Sequence, residues 1–291
     1  MVKRGLYMES YTEFAKVYDE FMDATPYEEW CQRLVQIIEK CGITRRNSEE
    51  NLDGWTEREK ALGSEKNLVL DLGCGTGTLT ELMAEAGFDM LGIDMSPEML
   101  QEAMEKREES GHDIMYLCQD MRELELYCTV GTVICVCDSI NYVLEDAEII
   151  ETFKRVNNYL FPKGLFIFDF NTDYKYREVI GDTTIAENRE DCSFIWENFY
   201  DEESHINEYD LTIFVREITD TESADDEEEQ VFRRFQETHL QRGYDLQEML
   251  HFVKEAGMEF VYAIDADTEE DVTAETERVL MVCREHGKAV L

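Results

Sequence analysis

Asp71, Gly73, Gly75 and Gly77 are the residues whose types and spacing first suggest chemistry. They close an apolar run, Leu68-Val69-Leu70, of the kind that suits a strand buried on both faces. Glycines at alternate positions allow a tight turn and let backbone approach a ligand closely, since no Cβ intervenes. Thr78 can cap the helix that follows, where Leu79, Leu82, Met83 and Ala86 recur at helical spacing until Gly87. A second apolar stretch, residues 88–93, ends in Asp94. That acid stands about 20 residues beyond the first glycine, where a carboxylate can accept hydrogen bonds from ribose hydroxyls.

Two ligand classes use a strand, a glycine turn and a helix in this order. A dinucleotide fingerprint needs a third small residue in G-x-G-x-x-G/A, and Thr78 occupies that position here. An anionic Asp71 before the turn is also a poor neighbour for a pyrophosphate. It suits the sulfonium and amino group of S-adenosylmethionine. Asp71 through Gly77 (DLGCGTG) and Gly92 through Leu100 (GIDMSPEML) together resemble the class I S-adenosylmethionine-dependent methyltransferases.

The resemblance implies a cofactor site of Tyr11, Asp71, Gly73, Cys74, Gly75, Gly77, Asp94, Met95, Met99, Gln119, Asp120, Met121, Cys137, Asp138 and Ser139. In the family the position of Asp120 sits at the adenine edge. Residues 132–137 read as a fourth strand, carrying Cys135 and Cys137 on one face and leading into Asp138, Ser139, Asn141 and Tyr142. Amino- and amide-directed relatives hold D/N-P-P-Y-like motifs there. Asp138 and Tyr142 remain without the proline pair, which argues against an exocyclic base amine as acceptor. A fifth strand, residues 165–171, brings Asp169 and Asn171 to the same sheet edge. Ligands of open α/β sheets bind at such strand ends.

The elements that must position these groups can be read on either side. Tyr11, Phe14, Tyr18, Phe21 and Met22 recur near helical spacing, and Trp30, Leu34, Ile37 and Ile38 do so after Pro26. This N-terminal stretch resembles the family's helical cap. Tyr11, Tyr18 and Trp30 either close over the cofactor and acceptor or are plain core. Residues 42–66 read as a polar surface insertion with no chemistry of its own. Ser96 can cap the helix beginning at Pro97. Helices at 146–160, closed by the Phe161-Pro162-Lys163-Gly164 turn, and at 245–256 complete the pattern, with final strands near 258–264 and 278–283.

Between residues 192 and 240 the pattern turns to alternation, in three strand-like stretches at hairpin spacing. The expected architecture is α/β: a doubly wound, Rossmann-like, seven-stranded mixed sheet with a helical N-terminal cap and an inserted antiparallel meander. The chain divides into a cap (1–41), a linker (42–66), a cofactor-binding core (67–191), the meander (192–244) and a return to the core (245–291). Alternation puts Glu237, His239 and Gln241 on one face of the last meander strand. That face either looks into an acceptor pocket or meets solvent on an edge strand. Asp138, Glu237 and His239 are the candidate catalytic residues. Tyr18, Trp30, Asn141, Tyr142, Asn171 and His239 are the candidate acceptor contacts.

Composition narrows the partners. With 27 basic against 67 acidic residues, a formal net charge of -40 opposes binding to phosphate backbones and anionic membranes. A small soluble methyl acceptor, at nitrogen or oxygen, is therefore expected. RNA- or protein-directed transfer, or cofactor binding without catalysis, are the alternatives. Lys3 and Arg4 precede no continuous apolar core, so no signal peptide is expected. The 9 cysteines lack disulfide or zinc spacing and suit a reducing cytoplasm, and no metal is expected.

Overall fold

The computed structural model describes residues 14–46, 64–217 and 230–288. Seven strands form one mixed sheet: β1 (Leu68–Leu72), β2 (Asp89–Asp94), β3 (Met115–Cys118), β4 (Val130–Cys135), β5 (Leu160–Asn171), β10 (Glu259–Asp265) and β11 (Arg278–Arg284). Their order is β10-β11-β5-β4-β1-β2-β3. The strands β1 to β5 pair in parallel, whereas β11 runs antiparallel to both β5 and β10. Chain order reverses between β1 and β4, and the crevice outside their carboxyl ends is the natural ligand site of such a sheet.

Strand alternation sends side chains to two separate cores. Leu70, Leu72, Val133, Cys135, Phe166 and Phe168 pack against Phe153 of α5 (Asp146–Tyr159) and Phe252 of α6 (Leu246–Glu255). On the other face Val69, Ile134 and Ile167 meet Leu34 and Ile38 of α2 (Tyr27–Cys41) and Met83 of α3 (Thr78–Glu85). Helix α4 (Pro97–Ser110) begins as its sequence suggests, with Ser96 Oγ accepting from Met99 N. Thr78 is instead the first residue of α3, and left-handed Gly77 occupies the cap position.

A second sheet, in the order β6-β7-β8-β9, is wholly antiparallel. It comprises β6 (Thr184–Asn188), β7 (Cys192–Asp201), β8 (Ile206–Arg216) and β9 (Phe232–Arg242). Alternation revealed three of these strands. β6 is a short, largely exposed edge strand, so it carries no buried face for a sequence pattern to show. Helix α1 (Ala15–Phe21) packs its Val17 and Phe21 against Leu211, Ile213 and Phe194 of this sheet.

Two strand ends differ from the expected ones. β4 stops at Cys135, because Cys137 and Asp138 take positive φ values of 64° and 52°. Cys135 and Cys137 therefore do not share a strand face. β5 starts at Leu160, so the Pro162-Lys163-Gly164 segment lies within the strand rather than in a turn, at an irregularity in its register with β4. Proline is tolerated in sheets at such places.

Asn141 joins the two sheets. It is fully buried, donating through Nδ2 to the carbonyls of Asn171 (2.9 Å) and Arg242 (2.7 Å) and accepting from Asn171 N (2.9 Å). The last residue of β5 and the last of β9 are thus clasped to the turn after β4. Asn141→Ala should lower the unfolding free energy by about 3 kcal/mol, because it strands buried backbone groups. A urea midpoint and slope unchanged from wild type would refute this role.

Candidate functional site

The glycine turn builds the floor of the crevice. Gly73, at φ 82°, approaches the turn after β4 so closely that a Cβ would stand 2.7 Å from Ser139 Oγ. Asp94 binds the turn from β2: its carboxylate accepts from Gly75 N at 2.9 Å and Ser96 N at 2.8 Å. Burial pushes the Asp94 carboxyl above its ordinary value despite these bonds. Asp71 is also buried, accepts from Thr80 Oγ1 at 2.6 Å, and is pushed up to about 7, chiefly by burial and further by Asp94.

These groups surround a cavity of about 380 Å³. Asp71, Gly73, Cys74, Gly75, Asp94, Met95, Met99, Gln119, Asp120, Met121, Cys137 and Ser139 line it, as do Tyr18 and Tyr142. Gly77 itself does not line it, although its neighbours Thr76 and Thr78 do, and Tyr11 lies outside the described residues. Asp120 is clamped by Arg122, with contacts of 3.0 Å and 2.5 Å. Burial opposes its charge, but the guanidinium and Arg122 N hold its carboxyl below the usual range.

Other expected contacts stand elsewhere. Trp30 lies off this cavity, its ring 4.3 Å from the Arg278 guanidinium, because it stands on the side of α2 that meets β11. Asn141 serves the clasp described above. Asn171 donates to Tyr176 Oη at 3.1 Å and accepts from Lys175 Nζ at 2.9 Å. Asp138 points away from the cavity wall toward Gln241 Nε2, 2.5 Å away, and burial pushes its carboxyl up to about 6. Burial likewise pushes the Cys137 thiol up to about 12.

The face of β9 that could have met solvent is inside. Glu237, His239 and Gln241 have relative exposures of 6%, 1% and 3%. His239 Nδ1 lies 3.3 Å from the hydroxyl of Tyr142, and its Nε2 lies 3.3 Å from Glu237 Oε2.

Some site residues carried no usable signal. Tyr27 lines the cavity beside Tyr18 and Cys137. Asp19 of α1 accepts from Thr76 Oγ1 (2.7 Å) and Thr78 Oγ1 (3.1 Å) and pairs with Lys106 Nζ (2.5 Å). The cap is thereby fixed to the glycine turn. One acid among 67 acidic residues does not stand out in the sequence.

Comparisons with known proteins decide the family. A family model described as a methyltransferase domain matches residues 69–164. The chain is 34% identical over 271 residues to a putative methyltransferase, YqeM, of Bacillus subtilis, covering 92% of this chain and 94% of that protein. It belongs to the class I S-adenosylmethionine-dependent methyltransferases. A second putative methyltransferase, from a Geobacillus species, is 32% identical over 276 residues, covering 94% of this chain and 99% of its own. An S-adenosylmethionine-dependent methyltransferase of Clostridium acetobutylicum superposes with a TM-score of 0.75 at 26% identity, covering 94% and 98% of the two chains.

The methyltransferase uses S-adenosylmethionine as its cofactor, and the cavity fits that molecule. It is long enough to run from the Asp120 end past Asp94 to Tyr142, with acidic walls for a cationic sulfonium. Among the described residues no cluster of His, Cys, Asp and Glu could hold a metal, and no helix is long and apolar enough to cross a membrane.

The acidic walls have a measurable consequence. Asp71 binds a proton more tightly folded than unfolded, so its folded-state pKa is raised. Folding then favours the protonated form, and stability falls as pH rises from about 4 toward 7. Asp71→Asn should flatten that part of the unliganded protein's stability profile. Superimposable profiles for the two proteins, measured by urea titration, would contradict it.

Proposed function

We propose that this methyltransferase delivers its methyl group to a nitrogen or oxygen nucleophile of a small soluble acceptor. The observation that carries the reading is the cover that the cap gives the cavity, with Tyr18 and Tyr27 in its lining and the inserted sheet behind Tyr142. Tyr142 lines the same cavity, and the Glu237–His239 face lies behind it. An acceptor there would lie beneath the cap, which suits a small molecule better than a folded RNA or protein. The net charge of -40 supports the same reading.

Roles within the cavity follow from position. Asp94 is assigned to the ribose hydroxyls, with lone pairs beyond the two that hold the turn. Asp71 is assigned to the cationic sulfonium and amino end. Gln119, Asp120 and Met121 are assigned to the adenine, and the glycine turn to the aminoacyl part. Transfer is an in-line displacement. The protein's task is to align the nucleophile and exclude water.

Asp94→Ala should weaken S-adenosylmethionine binding by about tenfold to a hundredfold, since a carboxylate–hydroxyl bond is among the stronger ones. Calorimetry checks the value, and wild-type affinity in the variant would remove Asp94 from the ribose. A panel of small amines, alcohols and phenols, read as S-adenosylhomocysteine release, tests the acceptor class. Turnover confined to RNA or protein substrates would overturn it.

A further inference from the structure

Behind the acceptor end of the cavity, three side chains from two parts of the chain meet in a line. Tyr142 lines the cavity from the turn after β4, and its hydroxyl is 3.3 Å from His239 Nδ1. His239 Nε2 is 3.3 Å from Glu237 Oε2, with side-chain exposures of 1% and 2%. Glu237 Oε1 also accepts from Phe14 N at 3.4 Å. The Tyr209 ring stacks on His239 at 4.8 Å and 8°, and its hydroxyl is 2.7 Å from that of Tyr142.

A buried imidazole with one nitrogen toward a carboxylate and the other toward a hydroxyl has a defined preferred tautomer. The carboxylate favours a proton on Nε2, which leaves Nδ1 as the acceptor. This is the arrangement that lets an imidazole take a proton and hold it as a stabilised imidazolium. Here the hydroxyl it faces borders the space where the acceptor would sit. A merely structural cluster would have no reason to end on that wall.

We infer that Tyr142 is a catalytic residue and that His239, oriented by Glu237, is the proton acceptor behind it. The inference rests on the reading of the acceptor side given above. It narrows the acceptor to a nucleophile that arrives carrying a proton it must lose, an ammonium or a hydroxyl. Bound S-adenosylmethionine supplies a methyl group to the nucleophile's electron pair, and the electrons of its C–S bond remain on sulfur as the thioether of S-adenosylhomocysteine. The acceptor's proton passes to Tyr142 Oη while the Tyr142 proton passes to His239 Nδ1. The imidazolium then faces Glu237, and deprotonation to solvent resets the site. Charge and protons balance without a further reactant.

Among the described residues, the titratable groups facing His239 are Glu237 on its own strand, Tyr209 on β8 and Tyr142 on the turn after β4. Asp138 is the next acid along, bound to Gln241 on the same face of β9 and near Lys175. Three acidic or phenolic neighbours thus surround one base.

Sinefungin tests the site without a known acceptor, because it carries an amino-bearing carbon in place of the methylsulfonium. Its ammonium would reach toward Tyr142, and S-adenosylhomocysteine, lacking that group, is the reference. The wild type should bind sinefungin more tightly than S-adenosylhomocysteine by at least about tenfold. In Tyr142→Phe, His239→Gln and Glu237→Gln the ratio of the two dissociation constants should fall toward one. A ratio near one in the wild type, or an unchanged ratio in the variants, would overturn the relay. Tyr142→Phe removes one oxygen, so it decides the matter if a strand substitution prevents folding. Failure to find a small acceptor would count against the proposed function and leave these ratios to be read on their own.

Discussion

The carboxylate of Asp169 holds the turn on which both halves of the site depend. Cys137 and Asp138 are consecutive non-glycine residues in the left-handed region, a conformation that costs energy at each position. Both of their backbone N–H groups donate to Asp169, at 3.2 Å and 2.9 Å, which offsets that cost. Arg278 of β11 stands 3.5 Å from the same carboxylate and stacks on Trp30 of α2. One buried acid thus ties together β4, β5, β11 and the cap. The sharp reversal it stabilises puts Cys137 and Ser139 on the cofactor cavity and turns Asp138 away toward Gln241.

Asp71, Asp94, Asp138 and Asp169 all lie at carboxyl ends of parallel strands or just beyond them, and burial raises the pKa of each. Crowded acids of this kind destabilise an unliganded site. Backbone amides, Thr80 and Arg278 offset part of the cost. A cationic ligand would offset more, whereas a pyrophosphate would add to the repulsion. The electrostatics of the crevice and the choice of a sulfonium cofactor are therefore one argument.

How much of this was legible in the sequence depended on whether a group's role was local. The glycine turn, Asp94 and the Ser96 cap are read within a few residues of chain, and the parallel strands declare themselves as apolar runs. Asp120 showed its position but not its clamp, because Arg122 could as well have pointed to solvent. Trp30 looked like a lid residue because its helix looked like a cap. The pattern fixes which residues share a helical face, but not which part of the sheet that face covers. Asn141, polar at a strand end, resembled a ligand contact until its two bonds to Asn171 of β5 and its one to Arg242 of the inserted sheet were seen. Glu237 and His239 were correctly placed on one face of β9. Alternation cannot say which of two faces is inward, and the answer comes from the packing of α1 and the turn after β4.

That packing gives the cap two attachments. On one side Asp19 reaches the hydroxyls of Thr76 and Thr78, beside the helix end that follows the glycine turn. On the other, Arg189 pairs with Asp23 at 2.8 Å and Phe21 meets Phe194 edge-on at 4.8 Å. Helix α1 is only 7 residues long, too short to be stable by itself. Its position is therefore set by contacts to the cofactor turn and to the inserted sheet together. Phe14, just before it, also donates to Glu237. The element that lines the cofactor cavity through Tyr18 thus touches the residues behind Tyr142, and a shift at either side is felt at the other through one short helix.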